Sequence, residues 1–220
     1  MADIITNGEK ENVQLSWHGE VNVDNYTDMV ERYAGYRTQR LNVLKLVVEV
    51  LEKEGINYWL DCGSLLGAYR NGKMIPHDSD TDVSILGDEE FDRARKALRQ
   101  NLPSVYSMED GTSYAEKIMI SHDSCGTYKY SDDIDCSNVT GDVNKYILRP
   151  DGTLQQIYYK FNLGERRYQH DWVFPLEKIQ FEGLTLPCPH NVKAYLEEMY
   201  GYLGTDFKYD PVSTRFVKRD

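Results

Sequence analysis

Between Pro76 and Leu86 the chain reads PHDSDTDVSIL, with carboxylates at Asp78, Asp80 and Asp82 and an apolar run directly behind them. The segment DTDVSIL has the composition of a half-buried strand, and Gly87 closes it. On a strand, residues two apart share a face with their Cα atoms about 6.6–6.8 Å apart, so Asp80 and Asp82 aim at one point. Like charges crowded in this way are costly unless something positive lies between them. The chain already carries 36 Asp plus Glu against 25 Lys plus Arg, a formal charge of −11. Three of these acids placed side by side therefore point to a cation site.

The same charge balance argues against non-specific binding to nucleic acid or to an anionic membrane surface. A small phosphorylated ligand is still compatible, because metal ions can meet its charge locally. No apolar run approaches the ~18–20 residues needed to span a bilayer. The N-terminal MADIITNGEKENVQLSWHGE has neither a basic n-region nor an apolar h-region, so the expected location is cytoplasmic. Sequons at Asn25 and Asn138 are then coincidental, and Cys62, Cys125, Cys136 and Cys188 are read as reduced thiols. His122, Cys125 and Cys136 make an incomplete zinc set that lacks a fourth ligand.

Length and patterning suggest a polar extension over residues 1–26 followed by a single domain over 27–220. Leu41, Leu44, Val47, Val48 and Leu51 recur at helical spacing within Arg40–Glu54, and Gly55 supplies the stop. INYWL reads as a buried strand, and Gly63-Ser64 as a tight turn that opens a short helix. DEEFDRARKALRQN is a helix with acids first and bases later, as its dipole favours. SVYSM, AEKIMIS and DIDCSNV read as strands, and IQFEGLTLP as a hairpin turning at Glu182-Gly183. Asn191 caps a last helix, VKAYLEEMY, which Gly201 ends. The order of elements gives an α+β (mixed α/β) fold with a mixed sheet flanked by helices.

The acidic run has two rival readings. Asp78, Asp80 and Asp82 match positions 1, 3 and 5 of a calcium-binding EF-hand, with Ile85 and Glu89 at positions 8 and 12. The glycine required at position 6 is Val83, a β-branched residue that tolerates positive φ badly. A solvated acidic turn is the other reading, and the upstream segment WLDCGSLLGAYR weighs against it. A Gly-Ser turn at a helix start offers backbone N–H groups and a hydroxyl to phosphate oxygens. Two aspartates on the following strand suit Mg²⁺, which takes one or two carboxylates and completes its octahedron with phosphate and water. A pair of such ions about 3.5–4 Å apart is an arrangement used in phosphoryl transfer.

The stretch WLDCGSLLGAYRNGKMIPHDSDTDVSI resembles the signature of the LicD/fukutin family, W-L-x-x-G-[ST]-L-L-G-x-x-R followed by I-P-W-D-D-D-x-D. The likeness continues through AEKI, DIDCSN and DWVFPLEKIQFEGLTLPCPHNVKAYLEEMYG, covering roughly residues 55–205. His77 stands where the family has tryptophan, and Ser79 where it has an aspartate.

The resemblance implies a nucleotidyltransferase-like fold and transfer of an alcohol-phosphate, of the phosphocholine or ribitol-phosphate type, from a CDP-linked donor. The acceptor would be a hydroxyl, usually on a glycan, and CMP would leave. It implies that Asp80 and Asp82 hold Mg²⁺ (or Mn²⁺), with Asp135 or its neighbour Asp133 as a third carboxylate that completes the metal shell or acts as general base. Gly63 and Ser64 would grip the diphosphate, and Arg70 and Lys117 would meet phosphate oxygens. His170 is a weaker candidate base, and Asp78 either supports the metal ligands or caps a turn. Nucleotidyl transfer with release of pyrophosphate is the alternative activity, and a non-catalytic nucleotide- or glycan-binding relative the alternative class.

Overall fold

A computed structural model of the chain describes residues 13–15, 19–21, 37–76, 78, 80–112, 115–122, 140–157, 165–210 and 212–219. Helix α1 spans Arg37–Lys53 and buries Val43, Leu44, Val47, Val48, Val50 and Leu51. These residues recur every three to four positions, as a helix lying against a sheet requires. Gly55, at φ 63, lets the chain turn away after it. The short strand β3 (Trp59–Leu60) leads directly into α2 (Cys62–Asn71). Strand β4 (Asp80–Leu86) and helix α3 (Asp88–Asn101) follow with the boundaries read from the sequence.

Strands β5 (Tyr106–Thr112), β6 (Ala115–His122), β7 (Thr140–Leu148), β8 (Thr153–Gln156) and β9 (Tyr168–Gln169) complete the main sheet. It is seven-stranded and mixed, with path β3-β4-β7-β6-β5 and with β8 and β9 extending from β7. Its central pair, β4 and β7, is parallel, and the other pairings are antiparallel. The register of the parallel pair sets Asp82 opposite Asp142 and Ser84 opposite Asn144. β7 was not recognised in the sequence. The neighbouring DIDCSNV, which was read as a strand, lies outside the described residues.

After β9 come a one-turn helix α4 (His170–Val173), strands β10 (Glu177–Phe181) and β11 (Leu184–Cys188), helix α5 (Val192–Tyr200), and strands β12 (Phe207–Asp210) and β13 (Arg215–Lys218). β10 and β11 form the expected hairpin, with Glu182 (φ 51) and Gly183 (φ 82) at its tip. This left-handed pair at the turn suits the twist of the strands it joins. The Asn191 side chain accepts a hydrogen bond from the Ala194 N–H, as a helix cap should. Within the segment read as an extension, β1 (Val13–Leu15) and β2 (Gly19–Val21) pair antiparallel. Among the described residues no helix is long and apolar enough to cross a membrane.

Alternation along β4 and β7 separates two environments. Val83, Ile85 and Val143 are fully buried on the face covered by α1 and α3. On the opposite face lie Asp82, Ser84, Asp142, Asn144 and Tyr146, all buried and all polar. The helical face is tightly packed: a Cβ on Gly141 would lie 2.5 Å from Val43 Cγ1. Gly141→Ala should therefore destabilise the fold by about 1–3 kcal/mol, and Val43→Ala in the same chain should recover part of that loss. Urea denaturation of the two single variants and the double variant measures both effects.

Candidate active site

The polar face is organised from Asp61 outward. Asp61 has extended backbone angles and caps α2, its Oδ1 accepting the Cys62 N–H at 2.8 Å. The same oxygen accepts the Tyr195 hydroxyl at 2.8 Å, and Oδ2 accepts the Ser84 hydroxyl. Trp59 Nε1 donates to the Tyr195 oxygen at 3.3 Å, and the hydroxyl of Tyr146 lies 2.8 Å from it. One fully buried carboxylate thus joins the start of α2, strand β4 and helix α5. Burial pushes the Asp61 carboxyl above its ordinary range, while the donors of Ser84, Cys62 and Tyr195 pull it back.

Cys62, the first residue of α2, has φ 48, a backbone strain uncommon outside glycine. The turn read from the sequence at Gly63-Ser64 is instead the first turn of α2 itself, and Cys62 takes the positive φ. The side chain of Gly63 is missing for a different reason. A Cβ there would come within 2.4 Å of Asp78 Oδ2, so the Asp78 carboxylate is seated against the N-terminal turn of the helix. Being in that first turn, Gly63 and Ser64 have backbone N–H groups without an intrahelical acceptor. The Ser64 hydroxyl is buried and accepts the Asp82 N–H at 3.0 Å, which ties the helix start to the acidic strand.

The segment 72–76 follows α2 on the way to β4, and it is clasped at two points. A Cβ on Gly67 would meet the Lys73 carbonyl oxygen at 2.4 Å, so this segment folds closely over the helix. From the hairpin tip, Glu182 accepts the Met74 N–H at 2.6 Å and two hydrogen bonds from Arg37 Nη2, at 2.5 and 2.7 Å. Burial alone would raise the Glu182 carboxyl, but the Met74 N–H and the Arg37 guanidinium hold it below its ordinary value. The Glu182 N–H also donates to the Gly72 carbonyl at 2.9 Å.

Asp80, Asp82 and Asp142 converge, each offering an oxygen within 4.8 Å of the other two. Asp82 and Asp142 are 7% and 3% exposed, and Asp142 Oδ1 is a buried oxygen with no hydrogen-bond partner among the described residues. An orphaned buried carboxylate oxygen inside an acidic triad suits a divalent cation, which would supply the missing contact. Burial, followed by the nearby charge of Asp142, pushes the Asp80 carboxyl up to about 6. Burial, followed by the charges of Asp80, Asp142 and Asp78, also pushes the Asp82 carboxyl well above its ordinary range. Asn144 Nδ2 donates to Asp82 Oδ1 at 3.1 Å, and Lys117 Nζ forms an ion pair with Asp142 Oδ2.

Residues 55–191 match the family described as LicD/FKTN/FKRP, nucleotidyltransferase domain. The chain belongs to this family. An uncharacterized protein of Rickettsia prowazekii is 26% identical over 176 residues, covering 79% of this chain and 59% of its own length. Human ribitol 5-phosphate transferase FKRP is 25% identical over 158 residues, which is 71% of this chain and 30% of that protein. Human ribitol-5-phosphate transferase FKTN is 35% identical over 51 residues, covering 23% of this chain and 11% of its own length. The chain thus spans about three fifths of the rickettsial relative and less than a third of human FKRP.

Seen against the LicD/FKTN/FKRP pattern, the anticipated residues fall into different places. Asp80, Asp82, Gly63 and Ser64 come together as one locus, joined by the Ser64–Asp82 hydrogen bond. Lys117 lies at the same locus, through Asp142. Arg70 is engaged elsewhere: its Nε and Nη2 donate to the Leu203 and Gly204 carbonyls at 2.8 and 2.7 Å. It staples α2 to the segment after α5. Asp135 and Asp133 lie outside the described residues, as do His77 and Ser79. His170 begins α4 and packs its ring against Phe174.

The residues missed in the sequence are Asp142, Asn144, Asp61 and Tyr195. Arg40 was missed too: it is 1% exposed, its Nε donates to Met74 Sδ at 3.3 Å, and its charge lowers the Asp80 carboxyl. For Asp142 and Asn144 a signal existed, since they alternate with Gly141 and Val143 along one stretch.

A carboxyl whose folded pKa is raised weakens the fold once it ionises. For Asp80 the penalty is absent below about pH 4, grows as the pH rises toward about 6, and is complete above that. With divalent ions chelated by EDTA, Asp80→Asn should be more stable than the native chain at pH 7.5, by about 1–3 kcal/mol. The gap should close toward pH 4, and paired melting curves across this range measure it.

Proposed function

We propose that the chain is a Mg²⁺-dependent transferase that moves an alcohol-phosphate from a CDP-linked donor to a hydroxyl acceptor, with release of CMP. The cargo would be of the ribitol-phosphate or phosphocholine type, and the acceptor a glycan. Support comes from the family and from the names of FKRP and FKTN, both ribitol-phosphate transferases. The observation that carries the reading is the convergence of Asp80, Asp82 and Asp142 beside the first turn of α2.

In this reading Asp80, Asp82 and Asp142 hold the cation, Asp142 supplying the third carboxylate that the resemblance assigned to Asp135. The cation, when bound, would neutralise charge on the diphosphate. The chain's own residues do the rest by positioning. The Gly63 and Ser64 N–H groups would meet a phosphate at the helix N-terminus, beside the Asp78 carboxylate, where the helix dipole favours an anion. Asn144 orients Asp82 through its Oδ1, and the Ser64 hydroxyl fixes the Asp82 backbone. Lys117 brings a second positive charge to the acidic locus. Such preorganised electrostatics are the main contribution an enzyme makes to phosphoryl transfer.

Incubation with CDP-ribitol or CDP-choline, Mg²⁺ and a hydroxyl acceptor should yield CMP. Pyrophosphate from a nucleoside triphosphate would instead indicate nucleotidyl transfer, and neither product would leave a binding protein. Asp80→Asn and Asp82→Asn should each lower CMP release by more than about a hundredfold while keeping the fold, as judged by circular dichroism. Full turnover in either variant would remove these residues from the site.

A further inference from the structure

Among the described residues the acidic locus holds three converging carboxylates, and their oxygens are not all equally open to a ligand. Asp142 Oδ2 is paired with Lys117 Nζ, and Asp82 Oδ1 accepts Asn144 Nδ2. Asp78 lies beside Asp80 and Asp82. Asp82 and Asp142 therefore each have one oxygen engaged within the protein. What remains for a ligand includes the buried Asp142 Oδ1, which no hydrogen bond from the described residues reaches. A pair of ions about 3.5–4 Å apart is held together by shared ligands, normally a carboxylate that gives one oxygen to each ion. A cation bound at Asp142 Oδ2 would lie against the Lys117 ammonium, which repels it, so Asp142 is poorly suited to bridging two ions.

The strand register makes the Lys117 contact a built feature. Met119 is opposite Asp142, and Lys117 is opposite Asn144. Asp142 and Lys117 are therefore diagonal neighbours on one face, within reach of a long side chain. The Lys117 side chain is 11% exposed and that of Asp142 3%, so the pair is shielded from water. Among the described residues, the carboxylates of Asp78, Asp80, Asp82 and Asp142 set against the Lys117 ammonium and the Arg40 guanidinium leave two charges to be met, which one divalent ion does.

We propose that Lys117 takes the place of a second metal ion, so that the site binds one divalent cation and uses a lysine ammonium as its other positive charge. This rests on the reading of Asp80, Asp82 and Asp142 as a metal site and revises the two-ion arrangement that paired aspartates suggest. Lys117 keeps Asp142 Oδ1 turned toward the single ion by holding Oδ2. It also places a fixed cation where a two-metal enzyme has a mobile one.

The test is titration of the full chain with Mn²⁺, free of nucleotide, followed by calorimetry and electron paramagnetic resonance. The native chain should bind one Mn²⁺ with the spectrum of an isolated ion. Lys117→Met releases both Asp142 oxygens and removes a repelling charge. It should bind a second Mn²⁺ with a spin-coupled spectrum, or bind the first at least about tenfold more tightly. Lys117→Arg keeps the charge and should retain one isolated ion. Two coupled ions on the native chain would overturn the lysine's role and leave the metal site standing, as would Lys117→Met with unchanged stoichiometry and affinity. No Mn²⁺ binding by the native chain at millimolar concentration would overturn the metal site itself. If Lys117→Met does not fold, the native stoichiometry and the arginine variant still decide.

Discussion

The repulsion between Asp82 and Asp142 is the constraint around which the molecule is arranged. They are directly opposite each other on parallel neighbouring strands, both buried. Like charges directly opposite on a sheet destabilise it, and burial multiplies the effect. The surroundings answer that repulsion point by point. Lys117 pairs with one carboxylate, Asn144 donates to the other, and the buried Arg40 acts on Asp80 from α1. The rest of the core is conventional, with apolar residues from α1, α3 and the sheet packed to the point that Gly141 has no room for a methyl group. A fold that accepts this much local instability needs stability elsewhere, and the tightly packed helical face is a natural source of it.

Much of the architecture was legible in the sequence because it rests on local chemistry. The helix over DEEFDRARKALRQN and the strand DTDVSIL have the boundaries their composition suggested, since acids at the helix start and a period-two pattern in the strand need no distant partner. The hairpin at Glu182-Gly183 and the Asn191 cap were legible for the same reason. Strand β7 was not. Both of its faces are buried, Val143 on one and Asp142, Asn144 and Tyr146 on the other, so the usual contrast of apolar inside and polar outside is absent. A polar row becomes readable as a buried one only when its partner strand is known.

The site shows the same division. Asp80, Asp82, Gly63 and Ser64 form a motif that is continuous in sequence, and they do meet. Arg70 belongs to the same motif but serves the packing of α2 on the Leu203–Gly204 segment. Asp61 and Tyr195 are far apart in the chain, and neither residue type signals a role by itself. Their importance comes from three dimensions, where a carboxylate with three donors can be buried at tolerable cost. Gly63 shows that one residue can be right for an unexpected reason: it is required by the Asp78 carboxylate packed against it, while the left-handed backbone falls on Cys62.

The Glu182 clasp has a consequence for how the protein is made. The hydrogen bond from the Met74 N–H joins residues 108 positions apart, so the segment entering β4 is completed by a hairpin synthesised much later. On a ribosome the acidic strand emerges well before β10 and β11 do. Until then its approach lacks the glutamate that holds it, and three crowded carboxylates wait on an unfastened lead-in. A nascent chain halted before Glu177 would contain Asp80 and Asp82 but not the buckle that sets the path toward them.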